Sequence, residues 1–166
     1  MAKADVFGPE DRVELFDGRV YEMSPIGSWH AACVRRLTAL LVVGVGDRAI
    51  VSVQSPIWLD EYSEPEPDVA LLRMKSDFYA GEHPGPDDIL LAVEVADSSL
   101  AFDLNRKSVP YVATGIPEVW VVDVVREVVH VVTAGGSRIV GRDGSLAPAE
   151  FPDIVLEVAD ILGLVD

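Results

Sequence analysis

Positive charge is what this sequence has least of: 13 lysine and arginine residues stand against 28 aspartates and glutamates, for a net charge of −15. A nucleic-acid-binding surface normally presents a basic patch, and most non-specific affinity for the polyanion comes from it. The balance therefore speaks against extensive binding along a DNA or RNA backbone. Lysine is scarcer still, with only Lys3, Lys75 and Lys107 beside ten arginines. Where any cation would serve, the chain carries arginine, so a lysine at 107 points to a compact ammonium rather than a planar fork. Cys33 is the sole cysteine, which excludes an intramolecular disulfide and fits a reducing compartment. No run approaches the roughly 20 apolar residues of a membrane helix. Residues 1–10 lack the apolar stretch of a secretory signal. The expectation is a cytoplasmic protein with no membrane partner. Gly-rich phosphate loops, paired Cys/His zinc spacings and a nucleophile elbow are also missing, so those chemistries find no motif.

What is present is an ordinary globular composition, 49% apolar and 25% charged over 166 residues, with one domain expected over 1–166. Its core is expected at about 12–132, followed by a C-terminal hairpin and tail at 133–166. Residues 12–23 read as a hairpin turning on Asp17-Gly18. Ser24-Pro25-Ile26-Gly27 breaks the pattern, and Ser28 is placed to cap a helix opening at Trp29 or His30. Cys33, Leu37, Leu40, Leu41 and Gly44 keep helical spacing, with Gly44 and Gly46 as the stop. Residues 49–53 and 56–59 read as short strands or one bent strand. An acid- and proline-rich loop (60–67) leads to a strand at 68–72. Residues 76–88 read as an exposed excursion. The near-continuous apolar run at 89–96 predicts a strand covered on both faces, in the middle of a mixed sheet. A helix at 103–114 contains Pro110 and should be bent or short. A hairpin at 119–132, a weaker one from 138 and a closing segment at 154–164 complete the chain. The order helix, strand, strand, strand, helix, strand (αβββαβ) implies an α/β (α+β) fold: a mixed central sheet flanked by helices, with added hairpins.

Two carboxylates sit inside apolar strand patterns: Asp68 after Pro67, and Glu94 between Val93 and Val95. Desolvating a carboxylate is unfavourable by several kcal/mol unless a partner compensates it. One divalent cation would compensate both, with the backbone carbonyl of Val95 as a natural third ligand and Glu66 as an alternative one. Lys107 would then face a phosphate or the attacking water. Asp103, Lys107 and Tyr111 are spaced four apart, which lines them on one helix face. Spacing alone favours an ordinary Asp103–Lys107 ion pair on a solvated face, and Glu14 reads as an edge-strand charge. His30, at a helix start, reads as a capping or packing group, or as a base or phosphate contact near the ion. Residues 60–103 carry twelve acids against Arg73 and Lys75, a concentration that attracts cations and repels polyanions.

Several stretches together resemble the Uma family of restriction-endonuclease-like proteins, within the PD-(D/E)XK nuclease superfamily. They are residues 14–25, His30, Glu66-Pro67-Asp68-Val69-Ala70, Val93-Glu94-Val95-Ala96-Asp97-Ser98-Ser99, Asp103, Lys107, Tyr111 and 115–123. No one motif is specific; their order and spacing jointly are. The resemblance implies a mixed four-stranded sheet between helices and a Mg²⁺ or Mn²⁺ ion held by Asp68 and Glu94. The superfamily's lysine, two residues after the second acid, would fall at Ala96. The family's lysine lies instead in the following helix, where Lys107 matches. Ser98-Ser99 departs from a Ser-Pro-Ser-Thr-like run.

The functional expectation is a metal-dependent endonuclease that hydrolyses phosphodiester bonds, with DNA as partner, by water attack. The alternative is a catalytically silent nuclease-fold module for self-association or protein binding, and a third reading is hydrolysis of a small phosphate ester. A basic rim of Arg35, Arg36, Arg106 and Lys107 would favour nucleic acid, and an acidic one the interaction module. A homodimer is expected, because valine-rich edge hairpins need cover and cutting both strands of a duplex favours two-fold pairing of sites.

Overall fold

The computed structural model describes residues 12–23 and 25–164. Residues 1–10, without the apolar stretch of a secretory signal, and Ser24 of the pattern break lie outside the described residues. The first hairpin pairs β1 (Val13–Phe16) with β2 (Arg19–Glu22) as a two-stranded sheet of its own. Asp17 and Gly18 both take positive φ, 51° and 69°, as a two-residue turn matched to strand twist requires. Helix α1 (Ser28–Val45) follows.

Strands β3 (Ala49–Val53), β4 (Val69–Arg73), β5 (Ile89–Ala96), β6 (Glu118–Asp123), β7 (Val128–Thr133) and β8 (Gly136–Gly141) lie side by side in that order. All neighbours are antiparallel except β5 and β6. A parallel pair needs a long crossover, supplied here by a helical run: α2 (Leu100–Phe102), a π-helical turn over Asp103–Ser108, and α3 (Val109–Ala113). The expected helix and strand order is thus found, with β7 and β8 widening a four-strand core to six. The chain ends with β9 (Ser145–Leu146) paired to β10 (Leu156–Glu157), then α4 (Val158–Leu162).

The sheet has a core on each face, and period two decides which residue joins which. Leu91, Val93 and Val95 pack toward α1 and α4, with Leu37, Leu41 and Ile161. Ala92 and Ala96 join the opposite core, with Phe16 of the hairpin and Tyr111 of α3. Every residue of β5 and β6 is buried, as the continuous apolar run predicted.

Local details differ from the sequence reading for identifiable reasons. Ser28 does not cap α1; extended Gly27 holds the cap position and its carbonyl accepts from Ala31 N–H at 3.0 Å. Gly44 does not stop the helix. It lies within α1, where a Cβ would meet Ile154 Cγ2 at 2.6 Å, so the residue permits close approach. Gly46, at φ +57°, makes the stop. Residues 56–59 form no strand; Ile57 and Trp58 donate instead to Pro65 and Pro84 carbonyls. Pro110 cannot donate to the carbonyl one turn earlier, and the helix widens into its π turn just before it, a feature frequent at functional sites.

Among the described residues no helix is long and apolar enough to cross a membrane. Cys33 lies in the α1-side core, and burial pushes its thiol pKa up to about 12. The thiolate is the reactive form, so the native protein at pH 8 should resist thiol reagents and react only after unfolding. Rapid stoichiometric labelling of folded protein would show that this core is open.

Candidate functional site

Asp68 and Glu94 are brought together by the β4–β5 pairing. Asp68 stands one residue before the first registered pair, Val69 with Val93. Its Oδ2 accepts the Val95 N–H at 2.8 Å, directly beside Glu94. Val95 therefore contributes its N–H to Asp68. The other Asp68 partners are His30 Nε2, at 3.0 Å, and Gln54 Nε2, at 3.3 Å. The hydrogen bond to Asp68 raises the His30 pKa against the opposing pull of burial. His30 Nδ1 is buried with no partner.

Glu94 projects from β5 on the Ala92 and Ala96 side and is 3% exposed. Tyr111 Oη donates to its Oε1 at 2.8 Å, and Lys107 Nζ lies 3.4 Å from each oxygen. Burial pushes the Glu94 carboxyl well above the usual carboxylate range; Lys107 opposes this, while Asp68 and Asp103 reinforce it. Burial pushes the Tyr111 phenol well up too, followed by Glu94, so it stays an O–H donor.

The solvated Asp103–Lys107 pair expected from spacing is not what forms. Both residues are buried, at 4% and 5% exposure. Lys107 takes its shortest ion pair with Glu14 Oε2, at 3.0 Å. Asp103 accepts instead from Ser99 Oγ, and burial raises its pKa. Burial alone would discharge Lys107, but Glu94, then Glu14 and Asp103, outweigh it and hold the ammonium above its ordinary pKa.

Glu14 is the residue that sequence reasoning missed. It is no edge charge: β1 buries Glu14 and Phe16 on one face, and Phe16 packs on Tyr111 with ring centroids 6.3 Å apart. Val13 and Leu15 also fit a two-residue apolar period, which taken alone would turn Glu14 outward. The usable signal was Phe16, two residues on, because the larger ring claims the inner face.

Glu14, His30, Asp68, Glu94, Asp103 and Lys107 line one cavity of about 310 Å³, with Glu66 also on its wall. Glu66 precedes β4 rather than lying in a strand; its N–H donates to Glu14 Oε2 at 3.4 Å. Burial, then Glu14, raises the Glu66 pKa. Seven lining side chains are acidic, against Arg12, Lys107 and His30. Arg35, Arg36 and Arg106 are not on this wall; Arg36 bonds the Leu162 carbonyl instead. The basic rim that would mark a duplex-binding surface is therefore not built from these residues. Among the described residues, no three His, Cys, Asp or Glu side chains form a ready metal cage.

The mixed sheet flanked by helices thus brings Asp68, Glu94 and Lys107 to one place. The chain belongs to the Uma2 family, described as "Putative restriction endonuclease", whose model matches residues 2–159. That bears out the family resemblance read from the sequence. A crystal structure described as a putative nuclease belonging to DUF820 from Anabaena variabilis ATCC 29413 has a TM-score of 0.74 to this chain. The match is 13% identical and covers 91% of this chain and 89% of that one, a likeness of fold. No curated protein matches this chain.

Proposed function

We propose that this protein is a metal-dependent endonuclease that hydrolyses phosphodiester bonds, DNA foremost, by direct attack of water. The observation that carries this reading is a deficit of positive charge at one buried point. A single ammonium, Lys107, serves both Glu14 and Glu94, with Asp68 beside them. Carboxylate oxygens are what Mg²⁺ or Mn²⁺ prefers, and Mg²⁺ is commonly held by one or two carboxylates with waters and phosphate completing its sphere. Asp68 and Glu94 would hold the ion, with the Val95 carbonyl as third ligand and Glu66 as the alternative. When bound, the ion supplies Lewis acidity toward the phosphate and a more acidic water.

The chain's own groups do the rest. Lys107, held charged, stabilises negative charge gathering on the phosphorus oxygens rather than acting as a base. Tyr111 fixes Glu94 through its hydroxyl, and Gln54 and His30 fix Asp68. His30 also lines the cavity wall, where its ring is placed to meet a phosphate. Asp103 keeps the start of the π turn in place through Ser99. Water attack forms one P–O bond as the bond to the leaving oxygen breaks, and the proton the water gives up ends on that leaving oxygen as its hydroxyl. A cytoplasmic setting suits both substrate and ion.

Incubation of purified protein with a labelled oligonucleotide should give cleavage with Mn²⁺ or Mg²⁺ and none with a chelator. Asp68→Asn should be inactive under the same conditions. Intact substrate with either ion, at any protein concentration, would contradict the proposal. The acidic cavity wall favours a second reading, a silent module that self-associates as a homodimer. The outer side of edge strand β8 is unpaired among the described residues, which supports strand-edge association. That reading predicts intact substrate together with a dimer in sedimentation.

A further inference from the structure

We propose that the substrate strand is unpaired: the site takes a single nucleic-acid strand, not a duplex. This rests on the phosphodiesterase reading above and adds the shape and charge of the cavity to it. Asp68, Glu94 and Lys107 are only 9%, 3% and 5% exposed. They line a recess of about 310 Å³, at the small end of ligand pockets. Residues of the β1–β2 hairpin, Glu14 and Tyr21 among them, wall one side, and Gly27 with His30 of α1 another. A duplex carries its phosphates on a stiff convex cylinder and is met by protruding side chains. Groups as buried as these within a recess meet a flexible strand more readily than a stiff cylinder. An unpaired strand can bend one phosphate inward.

Charge leads to the same conclusion. Duplex affinity comes chiefly from phosphates neutralised by lysine and arginine. Here Arg12 and Lys107 are the lining cations among the described residues, against seven acids. Attraction must then come from another source, and for single strands that source is stacking of bases on aromatic rings. Tyr21 and Phe102 line the cavity as an edge-to-face pair with centroids 5.1 Å apart. Both rings are partly exposed, and aromatic surface on the cavity wall suits splayed bases.

The test compares, with Mn²⁺-loaded full-length protein, one single strand, the same sequence in a dumbbell duplex closed at both ends, and bis(4-nitrophenyl) phosphate. The closed duplex has no frayed ends to supply unpaired strand. The single strand should show kcat/KM roughly tenfold or more above the duplex, with a shallow salt dependence because few phosphates are neutralised. A smaller ratio, or faster cleavage of the duplex, overturns the inference and leaves the phosphodiesterase reading intact. No cleavage of any of the three overturns both.

Discussion

Glu94→Gln is expected to abolish cleavage, by roughly a thousandfold or more, in a protein at least as stable as the wild type. Gln keeps the shape and the acceptor for Tyr111 Oη, while Lys107 retains its shorter ion pair with Glu14. What is lost is the negative charge proposed to hold the ion. Stability moves the other way, because a buried carboxylate opposes folding when ionised. The sign follows from linkage: burial raises the folded pKa of Glu94 above its ordinary 4.5, so the fold prefers the protonated acid. Its contribution to stability is complete below that value and is lost as pH rises through the raised folded one. Gln cannot ionise and escapes this loss. In metal-free protein, the unfolding free energy of Glu94→Gln minus that of wild type should therefore grow from about pH 4.5 upward. Full activity in the variant would remove Glu94 from the chemistry. A difference independent of pH would show that its carboxyl is not buried as described.

Lys107→Met should be the most destabilising single change at the site. Methionine replaces the aliphatic stem but leaves Glu14 and Glu94 without their shared cation. Breaking a buried ion pair from one side is unfavourable by about 3–5 kcal/mol, readable as a lower urea midpoint at unchanged slope. Lys107 is also the nearest cause holding the Glu94 pKa down, so without it the carboxyl rises further and the fold favours its protonated form more strongly. The deficit of Lys107→Met against wild type should consequently shrink as pH falls toward 4. Glu14→Gln with Lys107→Met, by relieving one of the two stranded carboxylates, should recover part of the loss. A Lys107→Met protein as stable as wild type near neutral pH would mean that the ammonium faces solvent.

Much of this arrangement was readable before any coordinates. The Asp17-Gly18 turn, the doubly buried 89–96 strand and the αβββαβ order follow from local rules of turn chemistry and periodicity, and the fold obeys them. Asp68 and Glu94 stood out because carboxylates are rare in apolar strands, and the β4–β5 pairing does bring them side by side. Contacts that depend on elements remote in sequence were not legible. Glu14 lies 93 residues before Lys107, and only the docking of a separate hairpin decides which of its two faces turns inward. Lys107 illustrates the same limit: spacing to Asp103 suggested a surface pair, yet the π turn around it buries the lysine toward Glu14 and Glu94. Gly44 was misjudged because a glycine at a helix end and one under a neighbouring isoleucine look alike in sequence.

Titrating Mn²⁺ calorimetrically into metal-free wild type, Asp68→Asn and Glu94→Gln asks most directly whether these two acids share one ion. The expected result is saturable binding of a single ion by the wild type, with a matching rise in Tm through ligand linkage, and neither signal in either variant. Equal binding by all three proteins, or none by the wild type, would contradict the shared ion at its root.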